Sequence, residues 1–472
     1  MKSIWKRFTP FLLLLLLALP LHAATRKVGL GTSADDERYS TLRQSVALLK
    51  DGTYATVWVH GLHDARMQWV RPDGSQVFLA GGLSLTTGDV SPVDLAVAAN
   101  PAGGAFVAFA VNTGNGARLF VQSYDAGGNP RWPADGVFAA TRSASDLQSE
   151  PQLVAAPRGG VYLCFQSFPT FSPSAPGADI VCQRFGAGGQ RLWTDQGILG
   201  AANTGERRAL PKVTRDDRNG LLVFWRNNRK LPATPDEPIL VEGQHLAPDG
   251  TRLWGDRGRL VRTTGLPANS GYEYSSLGVV PDGQGGAVVS FDDGTSPNQL
   301  DVFAQRVSGD GRLLWNNGVA VAAGNVSQGL DAVAAAPDGG AFVSVSQRGS
   351  GRLWLYRLGG GGKVLWKQRL TAGDPATSYD QISFLSFDNG RLRAVWSHFG
   401  PDSSARLFLA IYSLDGRRLN GPGGTLLTPG AGLRTPWGFV FDAARRQGLV
   451  VYDDNTVDNQ SDFDAAGVLY QE

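Results

Sequence analysis

The sequence predicts an all-β fold in which residues 24–472 form a single propeller of eight four-stranded antiparallel blades. Two repeated phrases carry this prediction. In the first, a glycine precedes an aromatic residue by four positions, as in QRFGAGGQRLW and QHLAPDGTRLW. In the second, two apolar runs flank a glycine turn, as in VALLKDGTYATVWVH and FLSFDNGRLRAVWSH. Short alternating runs bounded by Gly, Asp, Asn and Pro favour strands over helices, and 61 glycines in 472 residues fit a turn-rich chain.

The two phrases alternate along the chain and define the elements of each repeat. The anchor glycines of the first phrase are Gly74, Gly128, Gly189, Gly250, Gly311, Gly362 and, in a degenerate copy, Gly416. Six residues earlier a Gln recurs at Gln68, Gln122, Gln183, Gln244 and Gln305, with Tyr356 and Ala410 as exceptions. Each repeat therefore reads strand a, Gly turn, strand b, variable loop, strand c, Gly turn, aromatic residue and strand d, which is one propeller blade.

The eighth copy of the second phrase is followed by only one further strand, AAGVLYQE. Strand d of that blade is missing at the C-terminal end, and the segment KVGLGTSADDE, which begins at Lys27, matches a d strand with its loop. We expect this N-terminal strand to complete the last blade, because closing the ring removes two unpaired strand edges. The alternative is an open solenoid with frayed ends.

Residues 1–23 have the pattern of a secretory signal peptide: a basic start, an apolar run and a small-residue cleavage site. The mature protein is therefore expected in the periplasm or outside the cell. Removing Lys2, Lys6 and Arg7 takes away three positive charges, so the net charge moves from +2 to −1. A nearly neutral chain gives no electrostatic case for binding nucleic acid or inserting into a membrane, and its oligomeric state stays open.

The spacing of Gly and Trp predicts how the blades hold together. The Gly is expected to form the c–d hairpin at low strain, and the Trp to pack on the adjacent blade. This pattern occurs at Trp132, Trp193, Trp254, Trp315 and Trp366. It resembles the tryptophan-docking motif of pyrroloquinoline-quinone-type and outer-membrane-assembly propellers, which are also eight-bladed. The upstream Ala and Asp of that motif are absent here, so the likeness is one of architecture. The chain also resembles exported bacterial β-propeller proteins with repeated Gly-x-x-x-Trp blades.

One position of strand b is aromatic in almost every repeat. The eight residues are Trp58, Phe109, Phe165, Trp225, Phe291, Val345, Trp396 and Tyr452. A ligand-stacking platform and a core layer between blades are the two interpretations. Repetition in every blade favours the core layer, since aromatic side chains bury large apolar areas.

The long connections predict which end of the propeller carries function. The a–b and c–d turns are short and contain Gly, whereas the b–c and d–a connections are long and lie on the opposite face. Strand b reaches this long-loop face two residues beyond the aromatic row. In neighbouring blades this position holds His60, His398 and Asp454, with Asp453 alongside. These side chains are candidates for acid–base catalysis or for binding calcium or zinc, and the alternative is a rim of solvated polar groups.

Further residues of the long-loop face are candidates for ligand contacts. They are Arg226, Asp293, Tyr272, Tyr274 and Tyr379. The paired acids Asp292-Asp293 and Asp453-Asp454 lie on opposite sides of the ring, and the segment DDNTVDNQSDFD could bind calcium or form a solvated acidic loop. Otherwise no cofactor is predicted, because the sequence has no C-x-x-C-H, phosphate-binding loop or G-x-S-x-G motif.

The two cysteines, Cys164 in strand b and Cys182 in strand c, fall on neighbouring antiparallel strands of one blade. In an exported protein this placement favours a disulfide, and two buried thiols are the alternative.

These patterns predict an exported scaffold that binds a protein or a glycan through its long-loop face. The alternative from another class is a hydrolase or lyase acting on extracellular polysaccharide, with His60, His398 and Asp454 as catalytic groups. A structural part of a larger surface assembly is the third interpretation. A propeller fold alone does not decide among them, because function resides in the loops carried by the scaffold.

Overall fold

The computed structural model describes residues 24–31, 42–60, 64–86, 92–113, 116–133, 135–141, 146–168, 177–202, 205–228, 237–267, 276–296, 299–371, 379–400, 402, 404–455 and 464–472. The predicted signal peptide, residues 1–23, lies outside this part of the chain. The described residues contain 32 β-strands and one turn of 3-10 helix, Pro157–Gly159. None of their helices is long and apolar enough to cross a membrane.

The strands fall into successive units of four. Unit 1 contains β2 (Leu42–Leu48), β3 (Tyr54–His60), β4 (Asp64–Val70) and β5 (Leu83–Ser84). Unit 2 contains β6 (Pro92–Ala99), β7 (Ala105–Asn112), β8 (Ala117–Tyr124) and β9 (Val137–Phe138). Unit 3 contains β10 (Leu147–Ala155), β11 (Val161–Phe168), β12 (Asp179–Phe185) and β13 (Ile198–Leu199). Unit 4 contains β14 (Arg208–Arg215), β15 (Leu221–Asn227), β16 (Pro238–Leu246) and β17 (Arg259–Pro267).

The second half of the chain continues the same order. Unit 5 contains β18 (Leu277–Pro281), β19 (Ala287–Ser296), β20 (Gln299–Val307) and β21 (Val319–Ala322). Unit 6 contains β22 (Gln328–Ala335), β23 (Ala341–Gln347), β24 (Arg352–Leu358) and β25 (Val364–Leu370). Unit 7 contains β26 (Tyr379–Asp388), β27 (Arg391–Phe399), β28 (Ala405–Ser413) and β29 (Thr425–Leu426). Unit 8 contains β30 (Leu433–Asp442), β31 (Gln447–Asn455), β32 (Asp464–Gln471) and β1 (Ala24–Gly31).

The predicted repetition of four-stranded antiparallel sheets is confirmed, and the fold is a β-propeller. The units form seven sheets in the described residues, not eight separate ones. Six sheets have four strands, and units 2 and 3 share one sheet of eight. They are joined because β8 and β10 meet in parallel at Ala117 and Leu147.

The N-terminal strand joins the last sheet, as the sequence predicts. β1 runs antiparallel to β32, with Ala24 opposite Gln471 and Val28 opposite Gly467. Val28 and Leu30 are buried in a cluster that includes Trp58 from unit 1. β1 therefore fills the core between units 8 and 1 in addition to pairing with the sheet edge.

The first strands of the units contact one another in succession around the molecule. These contacts join β2 to β6, β6 to β10, β10 to β14, β14 to β18, β18 to β22, β22 to β26 and β26 to β30, and β30 contacts β2. Between the units lie the side chains of the strand b row, and all eight of its members are buried. The interpretation of this row as a core layer is confirmed.

The repeated Trp residues dock on the next unit. Each indole Nε1 donates a hydrogen bond of 2.8–3.1 Å to a carbonyl of the following c–d turn. The donor–acceptor pairs are Trp132–Ala187, Trp193–Pro248, Trp254–Gly309, Trp315–Gly360 and Trp366–Leu414. The ring lies against the next anchor glycine and leaves no room for a Cβ there. At Gly189, for example, an added Cβ would be 2.9 Å from the ring of Trp132. The prediction that these Trp residues pack on the adjacent blade is confirmed.

The repeated Gln holds the connection between strands c and d. In unit 5, Gln305 Oε1 accepts hydrogen bonds from the backbone N–H of Arg306 and Trp315, at 2.9 and 3.0 Å. Its Nε2 donates to the carbonyl of Asn316 at 2.9 Å. Gln122, Gln183 and Gln244 make the corresponding three contacts in their own units. One buried amide thereby satisfies backbone groups that the short strand d leaves unpaired.

Candidate functional site

The predicted sector of units 7, 8 and 1 consists of side chains that already have protein partners. His398 Nδ1 lies 2.8 Å from Asp380 Oδ1, and the same oxygen accepts the indole N–H of Trp396 at 3.0 Å. The His398 side chain is 12% exposed. His60 is half-buried at the end of β3, opposite Asp64 in the register.

The two aspartates of this sector are buried. Asp454 lies 2.5 Å from Lys27 Nζ and 3.1 Å from Arg434 Nε, and Asp453 Oδ2 accepts the indole N–H of Trp437 at 2.5 Å. Within the described ranges, no group of three or more His, Cys, Asp and Glu side chains could hold a metal ion. The contacts explain Asp453 and Asp454 as internal groups that tie the strands of unit 8 together. The catalytic roles of His60, His398 and Asp454, and the metal-binding roles of these residues and Asp453, stay predictions.

The predicted contacts Arg226 and Asp293 are buried as well. Arg226 Nη2 donates to the carbonyls of Ser276 and Asp292, at 3.0 and 2.9 Å. Burial lowers the pKa of Arg226 to about 10, against the opposing effect of Asp292 and Asp293. Asp293 Oδ2 forms an ion pair of 2.8 Å with Arg262. Both side chains link strands beneath the long-loop face.

The three predicted tyrosine contacts are not tested by the structure. Tyr272 and Tyr274 lie outside the described residues. Tyr379 is the first residue of β26, and its side chain lies outside the description. Their roles in ligand binding stay predictions.

The predicted disulfide is present. Cys164 and Cys182 stand directly opposite each other in the pairing of β11 and β12, with their Cα atoms 4.1 Å apart and their sulfurs bonded. Disulfides are typical of proteins in oxidising compartments, which agrees with the predicted export.

Asp331 is a half-buried acid that the sequence analysis did not single out. It occupies a bulge of β22, the first strand of unit 6, where the pairing shifts between Leu330 and Ala332. Within the described ranges its Oδ2 has no hydrogen-bond partner. Burial, and secondly the carboxylate of Asp292, raise its pKa to about 7, while Ser346 and Arg348 act in the opposite direction.

This raised pKa predicts how stability depends on pH. Because the folded-state pKa of Asp331 lies above the ordinary value of 3.8, the folded chain binds more protons than the unfolded chain between these values. The contribution of Asp331 to stability therefore falls as pH rises from about 4 to about 7. We expect Asp331→Asn to stabilise the protein by roughly 1–3 kcal/mol at pH 8 and to have little effect at pH 4.

Urea unfolding of both proteins across this pH range measures the effect. Asp256→Asn is the control, because that side chain is 84% exposed. If the free energies of unfolding of the wild type and Asp331→Asn change with pH in parallel, the pKa of Asp331 is not raised in the folded protein.

A polar and aromatic groove lies at the long-loop end between units 5 and 6. Its volume is about 260 Å³. One wall is the connection from β21 to β22, with Asn325 and the start of β22 at Gln328. The other wall is the outer half of unit 6. It contributes Arg352, Trp354, Tyr356 and Lys367, and Gln347 at the end of β23 adds to this wall.

Departures from the repeat accompany this groove. Tyr356 replaces the Gln that shapes the c–d connection in units 1 to 5, and β25 is seven residues long, six of which pair with β24. Val345 replaces the aromatic residue of strand b, and Trp354 stands opposite it on β24. The buried member of this cross-strand pair is Val345, whereas Trp354 is partly exposed to the groove. The exceptions at 345 and 356 were visible in the sequence, but their combined effect on the surface was not.

Sequence comparison finds no matching protein family and no matching curated protein. The fold is similar to that of a protein of unknown function from Dyadobacter fermentans DSM 18053, with 13% identity over 71% of this chain and 97% of that one and a TM-score of 0.40. For the polysaccharide lyase Uly1 the identity is 10%, the coverages are 80% and 90%, and the TM-score is 0.42. For a puromycin-hydrolyzing peptidase of Mycobacterium tuberculosis the identity is 13% over 93% of this chain and 62% of that one, with a TM-score of 0.46. At such low identities and TM-scores these likenesses carry no argument about ligand or reaction.

Proposed function

We propose that the protein is an exported eight-bladed propeller, closed into a ring, that binds a glycan in the groove between units 5 and 6. The unbroken succession of contacts from β2 to β30 and back to β2 supports the closed ring of eight. The bond between Cys164 and Cys182 supports export to the periplasm or the extracellular space.

The composition of the groove is the observation that carries the glycan assignment. Trp354 and Tyr356 lie two residues apart on β24, so their side chains project from the same face of the sheet. Aromatic rings in a concave site offer flat apolar surfaces on which the C–H face of a sugar ring packs. The amides of Gln328, Gln347 and Asn325 can both donate to and accept from hydroxyl groups.

The size of the groove favours a saccharide over a folded protein partner. Its volume of about 260 Å³ is close to the lower end of small-molecule sites, which span about 300–1,000 Å³. A stable interface with a folded protein needs a much larger contact area, about 800 Å² on each side. One end of a glycan chain can occupy the groove while the rest extends along the exposed surface of β25.

A glycan array followed by calorimetry tests this function. We expect Trp354→Ala to weaken binding of the selected glycan by at least about tenfold, which corresponds to 1.4 kcal/mol. Phe138→Ala is the matched control. Phe138 is also an exposed aromatic residue with a cation near its ring, Arg118 at 5.5 Å, but it does not line the groove. Absence of glycan binding by the wild type, or equal binding by Trp354→Ala, would contradict the proposal.

A further inference from the structure

We infer that the glycan bound in the groove is acidic, with a carboxylate or sulfate group held by Arg352, Lys367 and Arg369. The inference rests on the proposed function, since it names the chemical class of the ligand of that same groove.

Three basic side chains lie on one face of unit 6. Arg352 and Lys367 line the groove. Arg369 stands opposite Trp354 in the pairing of β24 and β25, and opposite residues of antiparallel strands project to the same side of the sheet. The outer surface of unit 6 therefore presents three cations around one indole ring.

None of these three cations forms an ion pair with an acidic residue in the described part of the chain. Other arginines of the same region are paired: Arg357 with Asp338 at 2.7 Å and Arg306 with Asp282 at 2.9 Å. Asp301 contacts the groove wall, where its carboxylate accepts a hydrogen bond from the backbone N–H of Gly324 at 3.1 Å. No carboxylate is among the described residues that line the groove. The groove is consequently positive and favours an anion.

The Arg369 side chain also has a donor without an acceptor within the described ranges. Its Nε is buried and has no hydrogen-bond partner among the residues that the structure describes. A buried donor without a partner is unfavourable, and in native proteins such groups are mostly satisfied by protein, water or ligand. A guanidinium presents planar N–H donors that match the paired oxygens of a carboxylate or sulfate. The Arg369 side chain has to turn toward the groove for an anionic group on a sugar beside Trp354 to satisfy this donor, because Nε is buried in the observed position.

Lys367 adds charge without fixing a geometry. Its Nζ lies 5.5 Å from the centroid of the Trp354 ring, which is the arrangement of a cation–π contact. The side chain is exposed, and it can turn from the ring toward an anion. The aromatic rings and amides of the groove then bind the neutral part of the sugar, and this combination favours an acidic saccharide over an acidic peptide.

Calorimetry with matched ligands tests this class. Oligogalacturonate is compared with its fully methyl-esterified form, which has the same sugar ring without the charge, and dextran sulfate is compared with dextran. We expect the charged member of at least one pair to bind at least about tenfold more tightly, and added salt to weaken it because screening shortens the range of the attraction. Tighter binding of oligogalacturonate would identify carboxylate as the preferred group, and tighter binding of dextran sulfate would identify sulfate.

Two triple variants separate the groove from overall charge. Replacing Arg352, Lys367 and Arg369 by Gln is expected to abolish the preference for the charged ligand. Replacing Arg312, Lys363 and Arg417 by Gln changes the net charge equally, at exposed positions of the c–d turns, and is expected to leave that preference intact. Circular dichroism and thermal unfolding show whether each variant is folded, and a groove variant that does not fold is replaced by the three single substitutions.

The outcomes distinguish the inference from the function on which it rests. Equal binding of charged and neutral glycans would overturn the acidic class and leave glycan binding in place. Failure to bind any glycan would overturn both. Binding of poly-glutamate as tight as that of the acidic glycans would overturn the saccharide assignment in favour of an acidic peptide. An equal loss of the preference for the charged ligand in both triple variants would show that the groove does not select the charge.

Discussion

Deletion of residues 24–31 is expected to lower the free energy of unfolding by at least about 4 kcal/mol. β1 contributes the buried side chains of Val28 and Leu30 to the core between units 8 and 1. Burial of one such side chain stabilises a protein by about 1.5–3 kcal/mol. The deletion also exposes the whole edge of β32, which then becomes a template for pairing with another chain.

Two polar contacts of β1 increase the expected loss. Arg26 occupies the place that Trp takes in other units: it lies over Gly74, and its Nη1 donates to the carbonyl of Asp73. Lys27 pairs with the buried carboxylate of Asp454 at 2.5 Å. Removing Lys27 leaves that carboxylate paired with Arg434, at 3.1 Å. Only the carboxylate of this pair is buried, and removing a cation from a buried carboxylate is destabilising even where the ion pair itself contributes little.

Chains beginning at residue 24 and at residue 32, produced behind the same leader, allow the comparison by urea unfolding and sedimentation. A synthetic peptide of residues 24–31 should restore stability to the shorter chain as its concentration rises, because it binds only the folded state. The same peptide with Val28→Asp and Leu30→Asp is the control. If the shorter chain unfolds at the same urea concentration as the longer one and stays monomeric, β1 does not close the ring.

The placement of β1 could be predicted from the sequence because the repeat is periodic. Counting the phrases shows that the eighth unit lacks one strand, and only the N-terminal segment has the matching pattern. The packing of Trp on the next unit could be predicted for the same reason, since an aromatic residue recurs four positions after Gly189 and its equivalents. Features that repeat in every unit follow from the backbone topology, so an alignment of the repeats predicts them.

The candidate site could not be predicted in the same way. Repeat alignment places His398 and Asp454 at equivalent backbone positions, but it does not say where their side chains point. Asp380 on the neighbouring strand binds the His398 imidazole, and Arg434 binds the Asp454 carboxylate. These partners lie on strand a, which differs in sequence between units.

The groove depends on exceptions to the repeat. Tyr356 and Val345 interrupt two periodic positions of unit 6, and each exception alone is compatible with ordinary packing. Only the three-dimensional pairing shows that Trp354 stands opposite Val345 beside the extended strand β25. Binding sites that arise where a repeat fails are therefore harder to predict than the core that the repeat builds.

Gly189→Ala is expected to destabilise the protein by about 3–5 kcal/mol, more than the cost of its backbone conformation alone. Gly189 has a φ of +85°, a conformation that costs an L-residue about 1–2 kcal/mol. Its added Cβ would also lie 2.9 Å from two ring atoms of Trp132, so the indole must leave its position on unit 3. Displacement of Trp132 breaks its hydrogen bond to the carbonyl of Ala187 and opens the core between units 2 and 3.

Gly255→Ala separates these two causes. Gly255 has a similar φ of +77°, but a Cβ there would meet no atom within 4 Å, so this variant should lose only about 1–2 kcal/mol. The double variant Trp132→Ala, Gly189→Ala completes the test by urea unfolding. If docking is the cause, Gly189→Ala should cost much less in the Trp132→Ala background than in the wild type, because the clash is already gone. Equal costs of Gly189→Ala and Gly255→Ala, or full additivity in the double variant, would show that the glycine serves the turn alone and that docking of Trp132 does not stabilise the contact between neighbouring units.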